Sequence, residues 1–200
     1  MARADWAVIL ARGDSSRMGR PKGLCRLPGD DRCFLALIAA AYQAIEFPVA
    51  VVTTCFLGKQ YRAALSTSAS PEWIERAGGG GTAASVVAAL EMLVDRATHI
   101  WLHPVDLPGV AADSLARLLA ESRRHPASLL VPEYAGQPGH PVVLPVGPFL
   151  GLCELTVPES MRPWLLEVTA SGPDQMAPLV PVPLRDRGIV TDYDSTDDFG

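Results

Sequence analysis

Short apolar runs alternate with longer segments of helical pattern over the first two thirds of the chain. A run that is apolar at every position is typical of a strand buried on both faces of a sheet. The strands predicted on this basis are WAVILA at 6–11, VAVVTT at 49–54, HIWLH at 99–103 and ASLLVP at 127–132. The helices predicted from length and from alanine-rich or amphipathic composition are 33–45, 58–65, 82–97 and 112–124, the last capped by Asp113 or Ser114.

This alternation of strands and helices favours a Rossmann-like α/β/α fold, in which a mostly parallel sheet lies between two layers of helices. From about residue 133, prolines and glycines become dense in GQPGHPVVLPVGPF, and short antiparallel strands are expected. The chain, 1–200, is therefore predicted to be a single domain in which 133–200 forms a small lobe beside the half at 1–132. Ligands of such open sheets bind beyond the carboxyl ends of the strands, so a site is expected in the loops that follow them.

Composition narrows the class of protein and its partners. The formal net charge of −5 argues against non-specific binding to nucleic acid. The four cysteines, Cys25, Cys33, Cys55 and Cys153, form no C-x-x-C pair, so neither a disulfide framework nor a cysteine-based zinc site is expected. No apolar stretch is long enough to span a bilayer, and MARAD before the first strand lacks the apolar region of a signal peptide. We expect a soluble, cytoplasmic protein with reduced thiols and without a nucleic-acid or membrane partner.

The loop after the first predicted strand, in LARGDSSRMGRPKG at 10–23, is strongly cationic although the chain is acidic. Gly13 and Gly19 allow the backbone N–H groups to approach an anion, and the hydroxyls of Ser15 and Ser16 are further donors. Two cations of the same loop, Arg17 and Lys22, complete a cradle that suits a nucleoside triphosphate. The spacing is neither that of a P-loop nor G-x-G-x-x-G. The alternative is a surface loop with basic residues by chance, which the local charge density disfavours.

Two other loops are expected at the same edge of the sheet. Asp106 in HPVDLPG follows the strand HIWLH, where a carboxylate can hold Mg²⁺ against a triphosphate. Alternatively Asp106 only forms a turn, or joins His103 and His140 in a zinc site. In the glycine-rich AGGGGTAAS, which opens the long helix, Gly78 to Gly81 let the backbone approach a planar or phosphate group, and the start of the helix supplies N–H donors. Alternatively, this segment is only a flexible entry to that helix.

The opening loop resembles the signature L-A-x-G-x-S-x-R-M-G-x-x-K of the MobA-like NTP transferases, the family of molybdenum cofactor cytidylyl- and guanylyltransferases. The matching residues are Leu10, Ala11, Gly13, Ser15, Arg17, Met18, Gly19 and Lys22. The resemblance implies an NTP along this loop, with Arg17 and Lys22 stabilising the charge of the leaving pyrophosphate. Arg12 stands where the family usually has Ala or Gly, near the nucleobase. The residues that the resemblance adds to the nucleotide site are Leu10, Ala11, Arg12, Gly80, Gly81 and Ser85.

Three further segments resemble this family. HPVDLP resembles its metal-binding segment, which implies that Asp106 binds Mg²⁺, with Mn²⁺ as the alternative. VTDYDSTDDF resembles its closing D-I-D-T-P-E-D, which implies that Asp194 is a second carboxylate for the metal. GQPGHPVVL resembles the G-H-P segment of the cytidylyltransferase branch, which implies that His140 lies near the acceptor. The segment 157–168 departs from the family's pattern.

The resemblance implies a nucleotidyltransferase that moves a nucleoside monophosphate from an NTP to a phosphorylated acceptor such as molybdopterin and releases pyrophosphate. CTP is favoured over GTP, and a molybdenum enzyme is a further expected partner. The half at 1–132 would then bind the nucleotide and the half at 133–200 the acceptor. Two alternatives stay open: another acceptor, such as a sugar phosphate or a cofactor precursor, and a non-catalytic protein that binds a nucleotide or cofactor for a partner enzyme.

Overall fold

The computed structural model describes residues 3–13, 19–65, 70–77, 81–149 and 177–193. The strands within these ranges are β1 (Ala4–Leu10), β2 (Val49–Thr53), β3 (Glu72–Glu75), β4 (Ala97–Pro104), β5 (Leu129–Tyr134), β6 (Gln137–Pro138), β7 (Val142–Pro145) and β8 (Leu179–Pro183). The helices are α1 (Phe34–Gln43), α2 (Cys55–Ala64), α3 (Gly81–Leu93), α4 (Ala112–Arg124) and α5 (Val146–Phe149). Single 3₁₀ turns are formed by Lys22–Leu24 and Arg187–Ile189.

The described strands form one sheet in the order β3-β2-β1-β4-β7-β5-β6, with β8 paired to β5. The four neighbouring strands β3, β2, β1 and β4 are parallel to one another. Strand β7 runs antiparallel to both β4 and β5. This mixed α/β architecture, with a mostly parallel central sheet and helices, confirms the predicted fold class. The antiparallel strands expected after residue 133 are present as β6 and β7, and they extend the same sheet.

The sheet is covered on both faces, which explains why WAVI is apolar at every position. Trp6 and Val8 of β1 belong to one hydrophobic cluster, which also contains most of the buried apolar residues of α3. Ala7 and Ile9 belong to a second cluster, which contains most of the buried apolar residues of α1. Successive side chains of a strand point to opposite faces, so each layer of helices takes alternate residues of β1. The carboxyl ends of β1, β2 and β4 therefore meet at one edge, between these two layers.

The predicted cap of α4 is wrong. The helix begins after Ala111, and neither Asp113 nor Ser114 caps it through a side-chain hydrogen bond to the backbone. Instead the Asp186 carboxylate accepts hydrogen bonds from the Ala111 N–H at 2.8 Å and from the Ser114 hydroxyl at 2.7 Å. Because the oxygen comes from a residue distant in sequence, the local pattern at 111–114 does not reveal it.

Candidate active site

Lys22 and Asp106 form an ion pair at the carboxyl edge of the sheet. Nζ of Lys22 lies 2.9 Å from Oδ2 of Asp106, although the two residues are 84 positions apart in sequence. Both side chains are mostly buried, with relative exposures of 20% and 23%, and the remaining surface faces solvent. The two residues that the sequence predicted to serve one triphosphate, through the loop after β1 and the loop after β4, are thus brought together.

Close packing at Gly23 fixes the turn that carries Lys22. A Cβ at this position would lie 2.8 Å from Cε1 of Tyr61 and 3.1 Å from Cγ2 of Val105. Both neighbours are buried, and burial raises the pKa of Tyr61 to about 12. The 3₁₀ turn is therefore seated between α2 and the Asp106 loop, which holds the Lys22 backbone at this edge.

A buried histidine lies behind the Asp106 turn. Nε2 of His103 lies 2.8 Å from the carbonyl oxygen of Leu107, and Nδ1 lies 3.0 Å from the hydroxyl of Tyr42. Burial lowers the pKa of His103 to about 4, so the ring is neutral near pH 7. Since both ring nitrogens are engaged with protein groups, the zinc site of His103, Asp106 and His140 considered from the sequence is wrong.

Arg12 crosses from the end of β1 to the first turn of α3. Its Nη1 donates a hydrogen bond to Oγ of Ser85 at 3.2 Å, and that hydroxyl donates to the carbonyl of Gly81 at 3.4 Å. The preceding residue, Ala11, is held by β2, because the Thr53 hydroxyl donates to its carbonyl at 3.0 Å. The predicted nucleobase residues Arg12, Gly81 and Ser85 are thus adjacent, and Arg12 occupies the space between the two elements.

Gly13 and Gly19 mark the described ends of the cationic loop, and both are exposed. Gly19 has a φ of +63°, a left-handed conformation that a side chain would strain. The other predicted loop residues, Ser15, Ser16 and Arg17, lie outside the described residues, and so do Gly80 and Asp194. Leu10 ends β1, where its carbonyl accepts a hydrogen bond from the Val105 N–H at 3.1 Å, so the cationic loop and the Asp106 turn start side by side.

The C-terminal segment reaches the same edge. The Tyr193 N–H donates to the carbonyl of Asp106 at 3.1 Å, and the Tyr193 ring packs against Phe34 at 5.5 Å between centroids. His140 is attached to this segment, since its N–H donates to the carbonyl of Ile189 at 2.9 Å. Burial lowers the pKa of His140, so its ring is neutral at pH 7. Asp106, His140 and the segment 189–193 therefore meet at one place.

The donor chemistry at this edge fits a hard divalent cation. Asp106 supplies carboxylate oxygens, which Mg²⁺ and Mn²⁺ prefer, while the imidazole nitrogens of His103 are occupied. Among the described residues, no group of three or more His, Cys, Asp and Glu is arranged to hold a metal ion. A Mg²⁺ ion needs only one or two protein carboxylates when substrate phosphates and water complete its shell, so the arrangement suits a metal that arrives with a nucleotide.

Several contacts of the site were missed in the sequence. Thr53 stands at the end of an apolar strand and Gly23 at the end of the signature loop. The sequence around these two residues does not indicate that Thr53 bonds to Ala11 or that Gly23 packs against Tyr61. The pairing of Tyr42 with His103 joins a helix to a strand over a separation of 61 residues.

The described part of the chain contains no helix long and apolar enough to cross a membrane.

Comparisons with known proteins agree with this fold. The family model described as MobA-like NTP transferase domain matches residues 7–170. No curated protein sequence matches the chain. The crystal structure of Rv0371c from Mycobacterium tuberculosis H37Rv is 26% identical, with a TM-score of 0.73, over 100% of this chain and 96% of that chain.

Two further structures share the fold. Rv0371C from the same organism in complex with manganese is 24% identical, with a TM-score of 0.69, over 100% of this chain and 97% of that one. Molybdopterin-guanine dinucleotide biosynthesis protein A from Archaeoglobus fulgidus is 17% identical, with a TM-score of 0.69, over 96% and 94% of the two chains. Since this family model covers most of the sequence, the chain belongs to the MobA-like NTP transferase domain family.

Proposed function

We propose that the protein is a metal-dependent nucleotidyltransferase that moves a nucleoside monophosphate from an NTP to a phosphorylated acceptor. The observation that carries the proposal is the ion pair between Lys22 and Asp106, a cation and a carboxylate held 2.9 Å apart at the ligand edge of the sheet. Lys22 is suited to bind phosphate oxygens, and Asp106 is suited to bind the metal that accompanies them. Bound Mg²⁺, or Mn²⁺, supplies positive charge to the phosphate oxygens.

The reaction is a displacement at phosphorus. An oxygen of the acceptor phosphate forms a bond with the α-phosphorus of the NTP, the bond from that phosphorus to the β-phosphate oxygen breaks, and pyrophosphate leaves with the electron pair. Little covalent chemistry falls to the protein, so positioning and electrostatic stabilisation dominate. Lys22 and Arg17 would neutralise the charge that develops on the pyrophosphate, with Ser15, Ser16, Gly13 and Gly19 holding the phosphates.

The donor and acceptor are proposed more specifically. Arg12 fills space between β1 and α3 beside Ser85, which favours the smaller pyrimidine base and therefore CTP over GTP. Gly80, Gly81 and Ser85 would bind the base, and Leu10 and Ala11 would complete the nucleotide site. Molybdopterin is the proposed acceptor, since one neighbour in fold is a molybdopterin-guanine dinucleotide biosynthesis protein. His140 would lie beside this acceptor and Asp194 would be a second metal carboxylate, because Tyr193, its neighbour in the chain, is bonded to Asp106.

Pyrophosphate release with CTP, GTP and a panel of phosphorylated acceptors tests this proposal. Lys22→Ala and Asp106→Asn should each lower turnover by about 10²-fold or more, by analogy with the removal of one preorganised charge-stabilising group. Lys59→Ala, on α2, removes an equal charge elsewhere and should leave turnover unchanged. Near-full turnover by folded Lys22→Ala would disprove the assignment of Lys22. Nucleotide binding without turnover for every acceptor would favour a non-catalytic binding protein.

A further inference from the structure

The backbone of the turn that carries Asp106 is hydrogen-bonded to the rest of the fold at three positions. The Val105 N–H donates to the carbonyl at the end of β1, and the Asp106 carbonyl accepts from the C-terminal segment, both at 3.1 Å. The third position is the Leu107 carbonyl, which lies 2.8 Å from Nε2 of His103. The first two hydrogen bonds join backbone groups, whereas the third is made by the side chain of His103. A mutation of His103 can therefore remove the third bond without changing the backbone.

The partners of His103 determine which tautomer it adopts. A carbonyl oxygen only accepts hydrogen bonds, so Nε2 must carry a proton to bond with Leu107. The hydroxyl of Tyr42 then donates to the unprotonated Nδ1 at 3.0 Å. Tyr42 is itself fixed, because its buried ring stacks on Phe47 and meets Trp101 edge to face. The buried rings of Tyr42 and His103 thus connect α1 to the Asp106 turn.

We propose that His103 is a positioning residue that orients the Asp106 carboxylate for the metal and nucleotide, with Tyr42 holding it as the Nε2–H tautomer. The inference rests on the proposed function for the role of Asp106, but the contacts that define His103 do not. Residues behind a metal ligand fix its orientation, and their loss typically weakens metal affinity by about 10–100-fold. His103 acts through the Leu107 carbonyl, one residue beyond Asp106, and does not touch the metal.

Two amide substitutions separate this role from packing alone. The side-chain NH₂ of His103→Gln reaches the position of Nε2 and can donate to Leu107, whereas His103→Asn reaches only the position of Nδ1. We expect the Mn²⁺ dissociation constant, measured by electron paramagnetic resonance with CTP and separately with GTP, to rise by about 10-fold or more in His103→Asn. His103→Gln should restore most of the affinity.

His99 provides the matched control. It is a buried histidine of the same strand, β4, and its two ring nitrogens also have protein partners, Asp5 and the Pro126 carbonyl, both at 2.9 Å. His99→Gln and His99→Asn should lower stability without changing Mn²⁺ affinity. Equal Mn²⁺ affinities in the two His103 variants, or a loss no greater than in His99 variants of the same stability, would overturn the proposal.

Tyr42→Phe keeps both aromatic rings and removes only the hydroxyl that donates to Nδ1, one of the two partners that together favour the Nε2–H tautomer. Nitrogen NMR of the imidazole should find His103 as the Nε2–H form in the wild type and a mixture of tautomers in this variant, with a parallel rise in the Mn²⁺ dissociation constant. An unchanged tautomer, or a changed tautomer with unchanged affinity, refutes the proposal. If the proposed function itself is wrong, the result differs: the wild type and Asp106→Asn would bind Mn²⁺ equally. In that case Asp106 is not a metal ligand, and the proposed role of His103 is also wrong.

Discussion

Gly23→Ala is expected to damage both stability and the nucleotide site through a single contact. The new Cβ would lie 2.8 Å from Cε1 of Tyr61, against about 3.4 Å for an ordinary contact, and 3.1 Å from Cγ2 of Val105. Both neighbours are buried, so neither can move into solvent. Overpacking of this kind costs about 1–3 kcal/mol, partly offset by about 0.4–1 kcal/mol from the lower entropy of the unfolded chain. The expected net loss is about 1–2 kcal/mol.

The relief of this overlap should displace the Lys22 turn. Because a misplacement of about 1 Å in a positioned group can cost about 10²-fold, we expect kcat/KM in the pyrophosphate-release assay to fall by about 10-fold or more in Gly23→Ala. Urea unfolding gives the stability change in the same preparations. Ile100→Val is the control, because it removes a methylene from the buried core of β4 at a similar cost of about 1 kcal/mol without touching the turn.

Two results would refute this reasoning. Unchanged stability in Gly23→Ala would mean that the contact with Tyr61 relaxes freely. Lowered stability with a kcat/KM no worse than that of Ile100→Val would mean that the turn does not orient Lys22.

Three other changes have expected outcomes. Burial lowers the pKa of His99, but the hydrogen bond and charge of Asp5, together with the hydrogen bond to the Pro126 carbonyl, outweigh burial and raise this pKa overall. The pair of His99 and Asp5 therefore stabilises the fold below about pH 6.5 and loses this contribution as pH rises through the folded pKa. The difference in unfolding free energy between wild type and Asp5→Asn, from urea titrations at pH 5.5 and 8.5, should shrink at the higher pH; a constant difference contradicts this. Arg12→Gly should raise GTP affinity relative to CTP in calorimetry by opening the space beside α3, and an unchanged ratio contradicts it. Asp186→Ala should lower stability by about 1–2 kcal/mol in urea unfolding, since the Ala111 N–H and the Ser114 hydroxyl lose their acceptor; no loss would show that solvent replaces it.

The order of elements could be predicted because β1, β2 and β4 each contain three or more consecutive buried apolar residues. In β3, by contrast, only Ile74 is buried, while Glu72 and Glu75 face outward and pair with Arg96 and Arg62. This strand lies at the edge of the sheet, where a charged, half-buried pattern protects it from pairing with another chain. A search for continuous apolar runs therefore overlooks it.

The meeting of Lys22 and Asp106 could be anticipated from topology. Parallel strands bring their carboxyl ends to one edge, so two loops that follow β1 and β4 are neighbours whatever their separation in sequence. The buried contacts behind Lys22 and Asp106 could not be predicted. The sequence HIWLH indicates a buried strand, but it does not show that His103 faces Tyr42 rather than a ligand, because that depends on how α1 packs on the sheet.

The most direct test of the central claim is calorimetric titration of CTP, GTP, ATP and UTP into the protein with and without Mg²⁺. The claim that Lys22 and Asp106 receive a metal–triphosphate predicts binding that needs the metal, selects a base, and is lost in Asp106→Asn. Failure of all four nucleotides to bind the folded wild type, or binding that ignores both Mg²⁺ and Asp106→Asn, would contradict it.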